Sequence, residues 1–232
     1  MAAGLRIGGI TPFTSIDFPG RLSAVLFVQG CPWRCTYCHN PHLQSRGEPT
    51  DKSWAEVMSW LKRRQGLLDA VVFSGGEPTV DPMLGPAMGQ VGQLAYEVGL
   101  HTAGTHPGRL RSVLPLTDWV GIDVKAPLHD AEQYDRITGR SGSARLARQC
   151  LEAVLTSGKR YEVRTTIHPN WLGEDHLLKM GQELSDMGVQ NWVWQMGRST
   201  AHLVIDPVYD YPTECLTTQM QRQFAAFSIR SD

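Results

Sequence analysis

With 232 residues, 41% of them hydrophobic and 19% charged, the chain has the apolar material for a sizeable core and is not a disordered polymer. The 22 Lys and Arg against 23 Asp and Glu give a formal net charge of −1, which excludes the basic excess of a typical nucleic-acid or anionic-membrane binder. No apolar run approaches the roughly 20 residues of a bilayer span, and the start, Met1 to Ile7, lacks a charged segment followed by an apolar one, so a cytoplasmic protein is expected.

Short apolar runs alternate with amphipathic stretches, without repeats or low-complexity tracts. The first strand is expected at residues 23–29, and a cysteine-bearing loop follows it. Ser53 and Glu56 form a capping box, and Trp54, Val57, Met58 and Leu61 then recur at helical spacing before Gly66. Further strands are expected at residues 70–74, 99–103, 119–125, 161–167 and 191–196. Leu146, Cys150, Ala153 and Val154 mark a helix that ends near Gly158, and Leu177, Met180, Leu184 and Met187 mark another before Gly188. The segment beyond Gly197, which holds Phe224 and Phe227, reads as a docking helix or a lid.

Strict alternation of strand and helix predicts an α/β fold of parallel strands with outer helices, and several strands are apolar enough to be covered on both faces. An open doubly wound sheet and a partial barrel fit this pattern equally. In both, ligands collect at the carboxyl ends of the strands. The polar and glycine-rich pieces fall there: residues 29–40, 74–78, 102–105 and 123–125.

The loop after the first strand reads Cys31-Pro-Trp-Arg-Cys35-Thr-Tyr-Cys38-His39. Three thiolates so spaced can bind three irons of a [4Fe–4S] cube and leave the fourth iron open to a substrate. Cys150, in a helix's apolar stripe, and Cys215 are unsuited as a fourth ligand, and an odd total of five cysteines argues against a disulfide framework. Two other readings stand beside the cube. Cys35-Thr-Tyr-Cys38-His39 matches the haem-attachment pattern but leaves Cys31 unexplained. Cys31, Cys35 and Cys38 with His39 or His42 could hold structural zinc, which a core of this size does not need.

Other pieces point the same way. The pair Gly75-Gly76 lets a backbone approach a ligand closely, and Glu77 can accept a hydrogen bond from an ammonium group, although Ser74 to Pro78 is also an ordinary strand-exit turn. Asp123 and Lys125 put opposite charges on one face of a strand end, where they pair with each other or with a ligand. The guanidinium of Arg164 suits a carboxylate, residues 195–198 are candidates for the mouth of the site, and Asp17 is a candidate to meet a protein substrate.

The stretch Gln29-Gly-Cys-Pro-Trp-Arg-Cys-Thr-Tyr-Cys-His-Asn-Pro41 resembles the cluster loop of radical SAM (S-adenosylmethionine) enzymes. Gly9-Ile-Thr-Pro-Phe-Thr-Ser-Ile-Asp-Phe-Pro-Gly20 is similar to the glycyl-radical-enzyme activating branch, most like the activating proteins of anaerobic ribonucleoside-triphosphate reductase. The resemblance implies a partial (β/α)6 barrel made by one domain over residues 1–232, with residues 1–20 as a lead-in and residues 198–232 as a tail on the barrel or its mouth. It implies a [4Fe–4S] cluster on Cys31, Cys35 and Cys38, shielded by Trp33, and S-adenosylmethionine as second cofactor. Gly75, Gly76 and Glu77 would then hold the methionine amino group, and Lys125, with Asp123, the carboxylate or ribose side. Tyr37 and His39 would meet the adenine and ribose, and Arg164 the cofactor or the substrate's glycine loop. His101 and Gly121 depart from the pattern, and His101 reads as a packed or exposed histidine.

The implied activity is reductive cleavage of S-adenosylmethionine to a 5′-deoxyadenosyl radical that takes a Cα hydrogen from a glycine of a partner glycyl radical enzyme. A flavodoxin- or ferredoxin-type electron donor is implied as well, and neither nucleic acid nor membrane. No insert separates Cys38 from the helix at Ser53, which fits the reductase branch. Two alternatives stay open: radical SAM chemistry on a small molecule such as a purine or pterin precursor, and a non-catalytic metal-binding or electron-transfer protein.

Overall fold

A run such as Ala70-Val-Val-Phe73 finds no water-facing side when its sheet is covered on both faces, and all four of these residues are fully buried. The computed structural model describes residues 4–50, 52–200, 202–206 and 208–230. The expected strands form as β2 (Ser23–Val28), β3 (Ala70–Gly75), β4 (Glu97–Thr102), β5 (Trp119–Asp123), β6 (Arg160–Ile167) and β7 (Asn191–Met196), each parallel to the next. Two more strands flank them: β1 (Ile7–Thr14), antiparallel to β2, and β8 (Ala226–Arg230), parallel to β7.

Strand order decides between the two architectures that the sequence left open. The sheet runs β1 to β8 in sequence order with no reversal. A doubly wound sheet needs a switch point where the order turns back, so this is a singly wound, barrel-type arrangement. Its helices are α1 (Trp54–Lys62), α2 (Leu84–Gln93), α3 (Pro107–Val113), α4 (Ala131–Thr138), α5 (Ser143–Thr156), α6 (Glu174–Asp186) and α7 (Glu214–Gln223). The capping box at α1 forms as expected: the Ser53 hydroxyl accepts from the Glu56 amide, and the Glu56 carboxylate accepts from the Ser53 amide at 2.8 Å.

The lead-in does more than precede the barrel. Between β1 and β2 the chain places Phe18, fully buried, in a cluster with Val25, Ala70, Val72 and Trp119, whose ring centroid stacks 5.2 Å away. Around it, Glu97 accepts from Arg21 Nε at 2.6 Å and from Arg160 at 2.5 Å. These residues stand at the amino ends of the parallel strands, opposite the cysteine loop.

Among the described residues of the tail, α7 and β8 pack onto the barrel instead of standing free. Leu216 and Met220 of α7 are buried, and Phe224 is buried with its ring 5.2 Å from Trp192. Phe227 sits in β8, edge-on to Trp194 at 4.8 Å. Residues 1–3 of the lead-in and 201, 207 and 231–232 of the tail lie outside the described residues. Among the described residues, no helix is long and apolar enough to cross a membrane.

Candidate active site

A cavity of about 270 Å³ occupies the carboxyl ends of the parallel strands, where cysteine loop, glycine loop and charged strand ends converge. Cys31, Cys35, Cys38, Tyr37, His39, Gly75, Gly76, Asp123, Lys125 and Arg164 all line it. Asp17, Gln195, Met196 and Arg198 line it too, whereas Glu77 and Gly197 stand outside that lining.

Backbone hydrogen bonds hold the cysteine loop from both sides. Gly30 and Cys31 amides donate to the carbonyls of Leu43 and Gln44 at 2.7 and 3.1 Å. The Arg34 and Thr36 amides donate to Thr138 and Ile137 carbonyls at 2.7 and 3.1 Å, so the loop satisfies orphan carbonyls at the end of α4. The Arg34 guanidinium folds back onto the Cys31 and Trp33 carbonyls at 2.7 and 2.9 Å. Trp33 is buried edge-on to Tyr134, which walls the rear of the loop.

The three cysteines are free thiols, each half-buried. Burial, with the Glu77 carboxylate next in effect, pushes Cys31 up to about 12, and burial also raises Cys35. Thiolates are therefore costly here without a bound positive centre, which a metal–sulfide cluster provides. Among the described residues no three or more His, Cys, Asp or Glu side chains gather around a point fit for one metal ion; the sulfurs rim a cavity instead. The donor set and the space fit a cube.

Opposite the loop, Asp123 is shared by two cations. Lys125 Nζ lies 3.1 Å from one oxygen, and Arg164 donates to the other at 2.9 and 3.0 Å. Asp123 and Arg164 are register partners on adjacent strands, which is what brings them together. Burial alone would raise Asp123, but Lys125 and Arg164 bring it down to about 2. Burial alone would lower Lys125, and Asp123 overrides it to keep the ammonium charged. A Cβ on Gly121 would fall 3.0 Å from Arg164 Cζ, so the bare backbone there makes room for the guanidinium.

Of the two readings left open for His101, packed or exposed, the structure shows it packed, edge-on to Trp119 at the cavity wall. Its Nε2 lies 2.8 Å from the Asp17 carbonyl, which can only accept, so Nε2 carries the proton. Tyr37 is buried with its ring 4.9 Å from Trp171, and its hydroxyl has no hydrogen-bond partner among the described residues. His39 stands at the exposed edge of the cavity, and desolvation, with Arg198 and Lys125 nearby, lowers it from the ordinary imidazole value.

The glycine pair lines the cavity and also packs closely on the chain's own backbone: a Cβ on Gly75 would lie 2.5 Å from the Val28 amide nitrogen, and one on Gly76 would strike the Gly30 carbonyl oxygen. Glu77 does not present its carboxylate to a ligand. It is fully buried and accepts from the Thr79 amide and hydroxyl at 3.1 and 2.6 Å, the Thr102 hydroxyl at 2.9 Å and the Ala103 amide at 2.8 Å.

Arg230 was missed by sequence reasoning. It lines the cavity from β8, held by two 2.8 Å bonds to the buried Glu162 of β6. The available signal was Glu162, an acid inside an otherwise apolar strand.

Comparison with known proteins agrees with this geometry. The radical SAM superfamily profile matches residues 25–180. A Methanocaldococcus jannaschii protein named as a glycyl-radical enzyme activating enzyme is 28% identical over 192 residues, 78% of this chain and 75% of that one. The pyruvate formate-lyase-activating enzyme of Clostridium pasteurianum is 33% identical over 172 residues, 71% of this chain and 69% of that one. Streptococcus suis SuiB bound to S-adenosylmethionine matches with a TM-score of 0.67 at 13% identity, over 88% of this chain and 48% of SuiB, a likeness of fold. With more than half of its length matched by the profile and its cysteine loop, cation cluster and glycine loop around one cavity, the chain belongs to the radical SAM superfamily, enzymes of the [4Fe–4S] cluster and S-adenosylmethionine.

Proposed function

We propose that this enzyme generates a glycyl radical on a partner enzyme, and that the partner is an anaerobic ribonucleoside-triphosphate reductase. What carries the proposal is one arrangement: three half-buried cysteines of a single loop face Lys125, Asp123 and Arg164 across one cavity, in a chain whose relatives are named for activating glycyl-radical enzymes.

Cys31, Cys35 and Cys38 would hold the cluster. Lys125 and Arg164 against Asp123 leave one surplus positive charge, suited to the carboxylate of S-adenosylmethionine. Backbone carbonyls of the 75–76 turn would take its ammonium group, since Glu77 is committed elsewhere. His39 and the backbone around Tyr37 would meet the adenine and ribose, because the Tyr37 ring is occupied by Trp171. When bound, cluster and S-adenosylmethionine together supply a one-electron reductive cleavage that yields a 5′-deoxyadenosyl radical able to take a glycine Cα hydrogen. The chain's part is to orient the sulfonium bond and exclude water, to which Trp33 and Tyr134 contribute behind the loop.

The reductase partner is supported by residues 9–20 and by the short connection from Cys38 to α1, which holds no additional cluster module. Cys150 is buried and Cys215 lies on α7, neither lining the cavity. The edge strands β1 and β8 do not pair with each other, which leaves a side for a protein loop to enter. A flavodoxin- or ferredoxin-type donor and a cytoplasmic location go with this function, as does one domain over residues 1–232. The names of the relatives favour a second partner, a pyruvate formate-lyase.

Anaerobic reconstitution with iron and sulfide, then dithionite and S-adenosylmethionine, should release 5′-deoxyadenosine. Adding an anaerobic reductase should produce a glycyl doublet in EPR. Deoxyadenosine with a doublet on pyruvate formate-lyase instead would move the partner, and no deoxyadenosine at all would sink the function.

A further inference from the structure

Glu77 is a buried acid that takes part in none of the ion pairs among the described residues. Every group it touches donates to it. Two are backbone amides, Thr79 and Ala103, which can only donate. The third is the Thr102 hydroxyl, which already accepts from the Gly104 amide at 3.0 Å and so turns its proton toward Glu77 at 2.9 and 3.1 Å. The fourth is the Thr79 hydroxyl at 2.6 Å. Bonds donated to both of its oxygens favour the carboxylate form. Burial raises Glu77 and these bonds oppose the rise.

Its position joins three strand exits. Thr79 follows β3, Thr102 and Ala103 end β4, and the Glu77 amide donates at 2.7 Å to the carbonyl of Gly30, the residue before Cys31. The Glu77 backbone is thus tied to the residue before the first cysteine, its carboxylate is near enough to raise the Cys31 thiol, and no cation pairs with it among the described residues. That differs from Asp123, whose charge is matched twice over.

We propose that Glu77 is a positioning residue, not a ligand contact: its carboxylate staples the loops after β3 and β4 together, and its unpaired negative charge near Cys31 lowers the potential at which the cluster accepts an electron. An unmatched anion in a poorly screened interior opposes a further electron nearby. A more reducing cluster suits the cleavage of a sulfonium bond. The proposal rests on the cluster of the preceding section, but half of its test does not need that cluster.

Glu77→Gln keeps the shape, removes the charge and sets an amide group against donors. In the cluster-free protein, amide exchange at Thr79 and Ala103 should rise at least tenfold. In the reconstituted protein, an EPR-monitored titration should show the cluster midpoint moved to a more positive value. Thr102→Val removes one donor and keeps the anion, so exchange at Ala103 should rise while the midpoint stays in place. Unchanged exchange in Glu77→Gln overturns the staple, and an unmoved midpoint overturns the electrostatic role. Equal midpoint shifts in both variants would assign the shift to loop movement and also overturn it. Should Glu77→Gln not fold, Thr102→Val decides alone: protected amides or a moved midpoint overturn the proposal. Wild-type protein that forms no cluster would defeat the proposed function and leave the exchange test of the staple standing.

Discussion

His101 shows how burial turns a titratable side chain into a measurable liability. Burial and then the Arg164 guanidinium push it down to about 3, with Arg230 adding to the push and the Asp17 carbonyl and Asp123 opposing it. The unfolded imidazole takes its proton near 6.5, so between these values the unfolded state binds more protons. Stability should therefore fall as pH drops from about 6.5, by at most about 1.4 kcal/mol per pH unit. His101→Gln can still donate to the Asp17 carbonyl and does not titrate. Denaturant melts from about pH 7.5 to 5 should show a shallower slope in that variant, and equal slopes would refute the account. Gly121 gives a second residue-level test. A valine there would crowd Trp119 at 2.9 Å and Arg164 at 3.0 Å, costing about 1–3 kcal/mol in urea unfolding and weakening S-adenosylmethionine binding. The sequence marked both positions as departures from a pattern without showing that Arg164 lies beside Gly121 or that the Asp17 carbonyl meets His101, since both partners come from elsewhere in the chain.

Among the elements, the lead-in and the tail departed most from expectation. β1 contains two glycines and a proline in eight residues, and β8 has five residues with most side chains half or fully exposed. Neither presents the apolar run by which β3 or β5 is recognised, because an edge strand is covered on fewer sides. Their identity comes from pairing with β2 and β7, which no local pattern carries. The loop that follows β1 contributes Phe18, and Phe18→Ala should cost about 3–5 kcal/mol by leaving a cavity among Val25, Ala70, Val72 and Trp119. A urea midpoint unchanged by that substitution would show that the ring does not close this end of the barrel. The α1 helix is the opposite case: its capping box and apolar spacing are local, and it forms where the sequence placed it.

For the whole molecule, the five cysteines divide into two kinds by position. Cys31, Cys35 and Cys38 rim the cavity on a loop held by backbone bonds, so replacing any of them with alanine should abolish iron retention and barely alter the stability of the cluster-free protein. Cys150 lies in the core under Gly104, and Cys150→Ala should cost about 1 kcal/mol in stability while leaving iron content intact. Cys215→Ala, at an exposed site, should change neither. Iron analysis paired with thermal melts of the five variants checks this partition, and iron loss in Cys150→Ala would break it.

What the sequence determined by itself is whatever spacing along the chain can encode: three thiols on one loop, a capped helix, apolar runs long enough for buried strands, and Asp123 two residues from Lys125. These depend on neighbours a few bonds away, so they survive without knowledge of the fold. Strand order, which made the sheet a partial barrel, depended on pairing between segments far apart in sequence. The same holds for Arg164 joining Asp123 across β5 and β6, for Arg230 reaching Glu162, and for Glu77 turning toward Thr102 instead of the cavity. Each of these is settled by which buried polar group lies nearest once the core has packed, because a charge or carbonyl removed from water must find its partner there.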